Sequence, residues 1–493
     1  MYAFLPWILV LGAGLMGLPA QAQVSAEPCH VDGMSRELLC GEVAVPLRAD
    51  EEAGEEIRLA YTLIQAQPGQ RSEDAVLLLA GGPGQGAQDF TALMGSVLER
   101  TTRQRDLLLL DLRGTGQSGA LNCPDLDLSR QDPQVMIDGL AECRKQLDFD
   151  PADYSSHQYV ADLERVREAF GYQQWNLLGG SYGTRLAQLY MREHPEVIRS
   201  AVLDSVAPLD QVIGARMGAD AEGAMQGIFQ RCEASPDCQE TFPDLRDDFA
   251  AMLDRLDEEP VEVSYRHPRS GEIISREVGR ETMTALIRGL LYDRSQHRVL
   301  PYMIHRAAEG HFELLLSSAA QTEEGIVESM AMGLTANIIC SEDIGRHGRE
   351  AVPAEESASF IGSLQADFWL EVCADWPRYD VPENYDEPLL SDIPTLLVSG
   401  ELDPVTPPAY GDQLLKTLSN ARHVVLPGGA HTEGFLGGHC IGGILNDFIK
   451  DAALGRLETF CLDRLSPQPF FTRTTGFAMT PRADVPDEET DND

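Results

Sequence analysis

The chain has 493 residues, 43% of them apolar, and a formal net charge of −41 from 38 basic and 79 acidic residues. The apolar share supports a packed core and excludes disorder along the whole chain. No run of Lys and Arg is present to neutralise a phosphate backbone, so nucleic-acid and anionic-membrane partners are excluded and the acidity reads as a strongly hydrated surface.

Residues 1–22 read as a secretory signal: an apolar run over 4–18 precedes Ala20-Gln21-Ala22, a small-x-small cleavage pattern before Gln23. The run is atypical in lacking a preceding Lys or Arg. Pro6, the glycines and its shortness argue against a spanning helix, and no later segment is long and apolar enough to span a bilayer. The expectation is export to a periplasm or the medium, with no integral membrane span. Ten cysteines fit such an oxidising compartment. They fall into neighbouring pairs, Cys29/Cys40, Cys123/Cys143, Cys232/Cys238, Cys340/Cys373 and Cys440/Cys461, although spacing alone does not fix connectivity. Zinc is the alternative, but no Cys-x-x-Cys or His-Glu-x-x-His spacing supports it, and neither metal nor cofactor is expected.

Segments 41–47 and 57–66 predict an antiparallel hairpin. The short aliphatic runs 75–80 and 106–112 suit parallel strands buried on both faces. Then come a helix over 158–170, a strand over 174–179, a helix over 184–193 and a strand over 200–204. From about 208 to 387 the period is mostly helical, with helices expected over 221–231, 245–256, 281–292, 324–339 and 354–372. A hairpin of 261–265 and 272–278 interrupts them. The alternation resumes with strands over 394–399 and 423–426 and helices over 409–418 and 442–453. This order predicts an α/β fold, a doubly wound, mostly parallel sheet split by a helical lid. The expected division is a signal (1–22), a first core part (23–207), the lid (208–387), a second core part (388–463) and an acidic tail (464–493).

Three strand ends carry chemistry. Gly179-Gly180-Ser181-Tyr182-Gly183 follows a buried-type strand and precedes a helix, the context a nucleophile elbow demands: small neighbours let a strained turn present the Ser181 hydroxyl. Asp403 follows the 394–399 strand and His431 the 423–426 strand. Serine needs a neutral imidazole to take its proton, and a carboxylate fixes the tautomer of that imidazole. The order Ser, Asp, His is that of α/β hydrolases. Asp204, also at a strand end, rivals Asp403, and His439 rivals His431 less strongly. An attacked carbonyl requires two N–H donors. The N–H of Tyr182 is expected to be one, and that of Gly82, in Ala80-Gly81-Gly82-Pro83-Gly84, the other. A phosphate loop there is unsupported, since no Lys-Ser/Thr follows.

Gly-Gly-Pro-Gly at 81–84, Asp111-Leu112-Arg113-Gly114-Thr115-Gly116-Gln117-Ser118, the elbow through Arg185, and 400–407 together resemble the prolyl and tripeptidyl aminopeptidases of the α/β-hydrolase superfamily. The similarity is greatest to the tripeptidyl branch. It implies a triad of Ser181, Asp403 and His431 and cleavage at peptide N-termini beneath a helical cap. Prolyl iminopeptidases usually have His where Ala80 stands and Trp where Tyr182 stands, which argues against strict proline specificity. The expected function is therefore an exported serine exopeptidase acting on peptides with a free N-terminus. An esterase or amidase using the same triad is the alternative. A non-catalytic binding module is weaker, because all triad positions are filled, and an epoxide hydrolase would want Asp at position 181. An aminopeptidase needs a carboxylate for the substrate ammonium. Cys340-Ser341-Glu342-Asp343 resembles a Cys-x-Asp/Glu motif of the tripeptidyl branch, so Glu342 or Asp343 is expected there, against the alternative of helix-end surface acids.

Overall fold

Asp74–Leu79 and Leu107–Leu110 project aliphatic side chains to both sides of the backbone, so each requires a cover on both faces. In the computed structural model, which describes residues 24–51, 54–126 and 133–472, both lie inside a nine-stranded sheet. The expected signal (1–22) and residues 473–493 of the expected tail lie outside the described residues.

The strands are β1 Glu27–Cys29, β2 Leu38–Pro46, β3 Glu56–Ile64, β4 Asp74–Leu79, β5 Leu107–Leu110, β6 Gln174–Gly180, β7 Ile198–Asp204, β8 Val261–Arg266, β9 Ile273–Val278, β10 Thr395–Gly400 and β11 Ala421–Leu426. The sheet order is β1-β2-β3-β5-β4-β6-β7-β10-β11, and β8-β9 form a separate hairpin. Strands β1 to β3 pair antiparallel, as do β3 and β5; from β5 through β11 the sheet is parallel. Parallel neighbours need crossover connections, and helices supply them on both faces. On β4, Ala75, Leu77 and Leu79 pack with the helices Ser156–Phe170 and Tyr182–Glu193. Val76 and Leu78 face the other way, toward Thr91–Val97 and His439–Asp451.

Between β7 and β10, apart from the β8-β9 hairpin, the chain is mainly helical from Met217–Ala234 to Leu364–Asp375, and much of it closes on a core of its own, including Met225, Phe249, Ile287 and Ile304. Helix Met332–Glu342 instead packs its Ile339 and Cys340 against Trp369, Cys373 and Leu140, tying the insertion to helix Pro133–Gln146. Two expected helices are each divided. The one over 324–339 becomes Glu313–Ser329 and Met332–Glu342, because Met330 pairs with Gln85 as an isolated bridge and the Ala331 N–H donates to Gly84 O at 3.0 Å. The one over 354–372 becomes Ala354–Ala358 and Leu364–Asp375, broken where Gly362 takes a left-handed φ of 69°.

Five disulfides join Cys29–Cys40, Cys123–Cys143, Cys232–Cys238, Cys340–Cys373 and Cys440–Cys461, the pairing expected from neighbouring positions. Among the described residues no helix is long and apolar enough to cross a membrane.

Candidate active site

Ser181 links β6 to the helix Tyr182–Glu193 with φ 54° and ψ −125°, a conformation that costs a non-glycine residue of order 1–3 kcal/mol and persists only where the surroundings impose it. The imposition is visible. A Cβ on Gly183 would lie 2.1 Å from Leu79 O, and one on Gly179 would lie 2.6 Å from Gly183 O. The helix thus starts hard against β4, and the turn has no room to relax. The Ser181 N–H donates to Asp204 O at 2.9 Å, which fastens the turn to the end of β7.

Asp403 and His431 come from the loops after β10 and β11. Those loops are laced together: the Leu402 N–H donates to Gly429 O at 2.8 Å, and Gly400 lies so close to Ala430 that a Cβ there would be 1.9 Å from its carbonyl oxygen. His431 Nδ1 lies 2.9 Å from both carboxylate oxygens of Asp403. The Asp403 carboxylate also accepts from the Val405 N–H, the Thr406 N–H and the Thr406 hydroxyl, each at 2.9 Å. Burial works to raise its pKa, but the neighbouring His431 and these donors outweigh it and the net shift is downward. The Tyr292 ring stands edge-on to the imidazole, with centroids 5.3 Å apart.

The rivals are placed elsewhere. Asp204 accepts from the Phe435 N–H at 3.0 Å, and burial pushes its carboxyl well above the usual range. His439 is exposed at the start of its helix.

Ser181 and His431 line one cavity of about 490 Å³, together with Gly82 and Tyr182. Gly82 has φ 110°, open to glycine and strained for other residues. Tyr182 is the first residue of its helix, where backbone N–H groups have no intrahelical acceptor. The rest of the wall is largely apolar and includes Met136, Met217, Met330, Met332, Phe368 and Trp369.

Glu342 and Asp343 are not brought to that wall. Glu342 is 2% exposed and its carboxylate is filled: it accepts from the Ser156 N–H (2.8 Å) and hydroxyl, and from the phenols of Tyr379 and Tyr385. Asp343 is equally buried, 2.7 Å from Arg185 and accepting from the Ile213 N–H at 2.9 Å. The expected amine site therefore falls on two internal anchors. The distant donors that fill them are what set them apart from the helix-end surface acids of the alternative reading.

Residues 74–241 match the family model described as the alpha/beta hydrolase fold, and residues 358–461 match the one described as TAP-like protein. The chain has the α/β-hydrolase fold. This α/β hydrolase is 30% identical over 194 residues to a putative hydrolase, YuaR, of Escherichia coli, a stretch covering 37% of this chain and 38% of that protein. It is 24% identical to a tripeptidyl aminopeptidase of Streptomyces coelicolor over 90% of this chain and 84% of the relative. It is 25% identical to the serine protease Hip1 of Mycobacterium tuberculosis, over 82% and 83%. It is a serine hydrolase.

Reading the sequence of this hydrolase missed Thr406, Tyr292 and Asp220. Thr406 has a local signal, since a Thr three residues after an Asp can close a turn on its carboxylate. Asp220 lines the cavity, accepts from the Tyr410 phenol at 2.7 Å and lies 3.8 Å from Arg216. Burial raises its pKa to about 6. Its signal is an acid on the apolar face of helix Met217–Ala234, at helical spacing from the buried Ala224 and Ile228. Tyr292 gave no local signal.

Proposed function

We propose that this α/β hydrolase is an exported serine aminopeptidase with a triad of Ser181, His431 and Asp403. The observation that carries the reading is the His431 Nδ1 set 2.9 Å from both Asp403 oxygens, with the ring and the strained Ser181 on the wall of one cavity. Ser181 Oγ attacks the scissile carbonyl while His431 Nε2 takes its proton and Asp403 stabilises the imidazolium. The N–H groups of Tyr182 and Gly82 receive the developing oxyanion. Collapse expels the amine, which leaves with the proton from His431, and water then repeats the sequence on the acyl-Ser181 ester. The names of the Streptomyces and mycobacterial relatives favour a peptide substrate. The substrate ammonium is assigned to Asp220, with Glu281 as the second acid on the cavity wall. Five disulfides favour an oxidising compartment, consistent with cleavage of 1–22 as a signal.

The apolar wall of methionines and aromatic rings also suits an ester or amide of a small acid. Matched chromogenic substrates separate the readings: tripeptidyl p-nitroanilides with free and acetylated amino termini, and p-nitrophenyl butyrate. Preference for the free amine supports the aminopeptidase. Equal turnover of free and acetylated peptides, with faster ester cleavage, refutes it.

A further inference from the structure

We infer that helix Met332–Glu342 of the insertion sets the oxyanion hole, holding the Gly82 loop with Thr335 at one end and Tyr182 with Glu342 at the other. The inference rests on the reading of Ser181 as nucleophile and of the Tyr182 and Gly82 N–H groups as the oxyanion donors.

At the helix start, the Thr335 hydroxyl donates to Pro83 O at 2.6 Å and the Ala331 N–H donates to Gly84 O at 3.0 Å. Gly84 has φ 120°, and a Cβ on it would meet Thr335 Oγ1 at 2.7 Å, so the helix and the glycine loop are in direct contact. The two carbonyls that follow the Gly82 donor, those of Pro83 and Gly84, are therefore fixed by this helix and its N-cap residue Ala331.

At the helix end, the Ser156 hydroxyl donates to Glu342 and so accepts from the Tyr182 phenol. Burial, and next the Glu342 charge, hold the phenols of Tyr182, Tyr379 and Tyr385 well above their ordinary pKa, so they stay protonated donors. Beside this chain, Asp343 pairs at 2.7 Å with Arg185, one turn along the helix that Tyr182 begins. Both carboxylates at 342 and 343 thus hold the first turn of the nucleophile helix, where the Tyr182 N–H is presented.

The arrangement has a chemical consequence. The two proposed donors belong to separate loops of the α/β core, and their spacing must fit an oxyanion that exists only in the transition state. A rigid helix spanning both loops fixes that spacing, and its Met332, Thr335 and Ile339 also line the cavity. Thr335 and Glu342 are accordingly positioning residues, and their loss acts on kcat rather than on ground-state binding.

The test uses Thr335→Val, Tyr182→Phe and Glu342→Gln, with Thr335→Ser as the conservative control, in the full mature chain. Each is assayed on a free-amine tripeptidyl p-nitroanilide and on p-nitrophenyl butyrate, with melting temperature as the check on folding. Thr335→Val and Tyr182→Phe remove one hydroxyl each and keep the packing, so they remain informative if Glu342→Gln does not fold. The expected result is a fall in kcat of about 10- to 100-fold with KM within about threefold of wild type. A peptidyl boronate, which forms a tetrahedral adduct, should weaken by the same factor as kcat, while the affinity for the product tripeptide stays unchanged; Thr335→Ser should retain wild-type kcat. If folded Thr335→Val and Tyr182→Phe keep wild-type kcat, or if KM rises and product affinity falls in step while boronate affinity holds, the inference is overturned. A fluorophosphonate probe distinguishes the deeper failure. Labelling of wild-type Ser181 with unaffected variants refutes the positioning role alone, whereas no labelling at Ser181 refutes the nucleophile reading and this inference with it.

Discussion

His431 meets Asp403 through a single ring nitrogen, Nδ1, which lies 2.9 Å from each carboxylate oxygen. With Nδ1–H committed to the carboxylate, Nε2 carries the free lone pair and is the atom available to accept a proton. Asp403→Asn should keep the packing and reverse that preference, since an amide can present its own N–H to Nδ1. The expected loss is about 10³- to 10⁴-fold in kcat. Wild-type kcat in a folded Asp403→Asn would remove Asp403 from the triad and reopen the case for Asp204.

Ser181→Ala should lower kcat by several orders of magnitude and leave a folded protein, because it removes the attacking hydroxyl and little packing. A phosphonate or sulfonyl fluoride should label Ser181 in the wild type. Peptide mapping that finds the label on another serine, with activity retained in the mutant, would exclude Ser181.

Gly183→Ala should damage the site sterically. Its Cβ would fall 2.1 Å from Leu79 O, a backbone atom of the central strand β4, so strand and helix must separate. The expected outcome is a loss of about 1–3 kcal/mol in stability or more, together with activity. Thermal melting checks it; an unchanged melting temperature would mean that the elbow is looser than this packing implies.

These steric and covalent relationships were the legible ones. The elbow can be read from five residues because its constraint is local, and the sheet from continuous aliphatic strands because both faces are covered. What sequence could not give is set by distant partners. The helix break at Met330 and Ala331 exists because Gln85 and Gly84 pair with those residues across the fold. Glu342 was expected to meet a substrate amine, and its donors come from Ser156, Tyr379 and Tyr385, all far along the chain. Adjacent acids after a cysteine look the same in sequence whether they face substrate or anchor a helix.

The Cys340–Cys373 disulfide closes the longest of the five loops, 33 residues, and joins helix Met332–Glu342 to the helix carrying Phe368 and Trp369. Replacing both cysteines with alanine should cost about 2–4 kcal/mol. The mature protein should begin near Gln23 and contain no free thiol. Mass spectrometry before and after reduction checks both; ten alkylatable thiols in the native protein would contradict export to an oxidising compartment.

Asp220 gives the reading of a free-amine substrate a pH signature. Burial raises its pKa to about 6, against partial relief from the Tyr410 hydrogen bond and Arg216. The folded state therefore holds the proton more tightly than the unfolded chain, whose aspartate titrates near ~3.9. Between those values the native state binds more protons, so stability falls as pH rises from about 4 to about 6, by roughly 2–3 kcal/mol in total. Asp220→Asn removes that loss, so its melting temperature should rise relative to wild type at pH 7 and not at pH 4. Function should move the other way. Above pH 6 the ionised Asp220 attracts the substrate ammonium, so KM for a free-amine peptide should drop as pH passes through 6 in the wild type. In Asp220→Asn that KM should be high and flat, while an acetylated peptide shows no dependence in either protein. KM separates this from the triad, whose protonation acts on kcat as well. A wild-type KM for the free-amine peptide that stays constant from pH 5 to 7, with Asp220→Asn unchanged, would take the ammonium away from Asp220 and leave Glu281 to be tested in the same way.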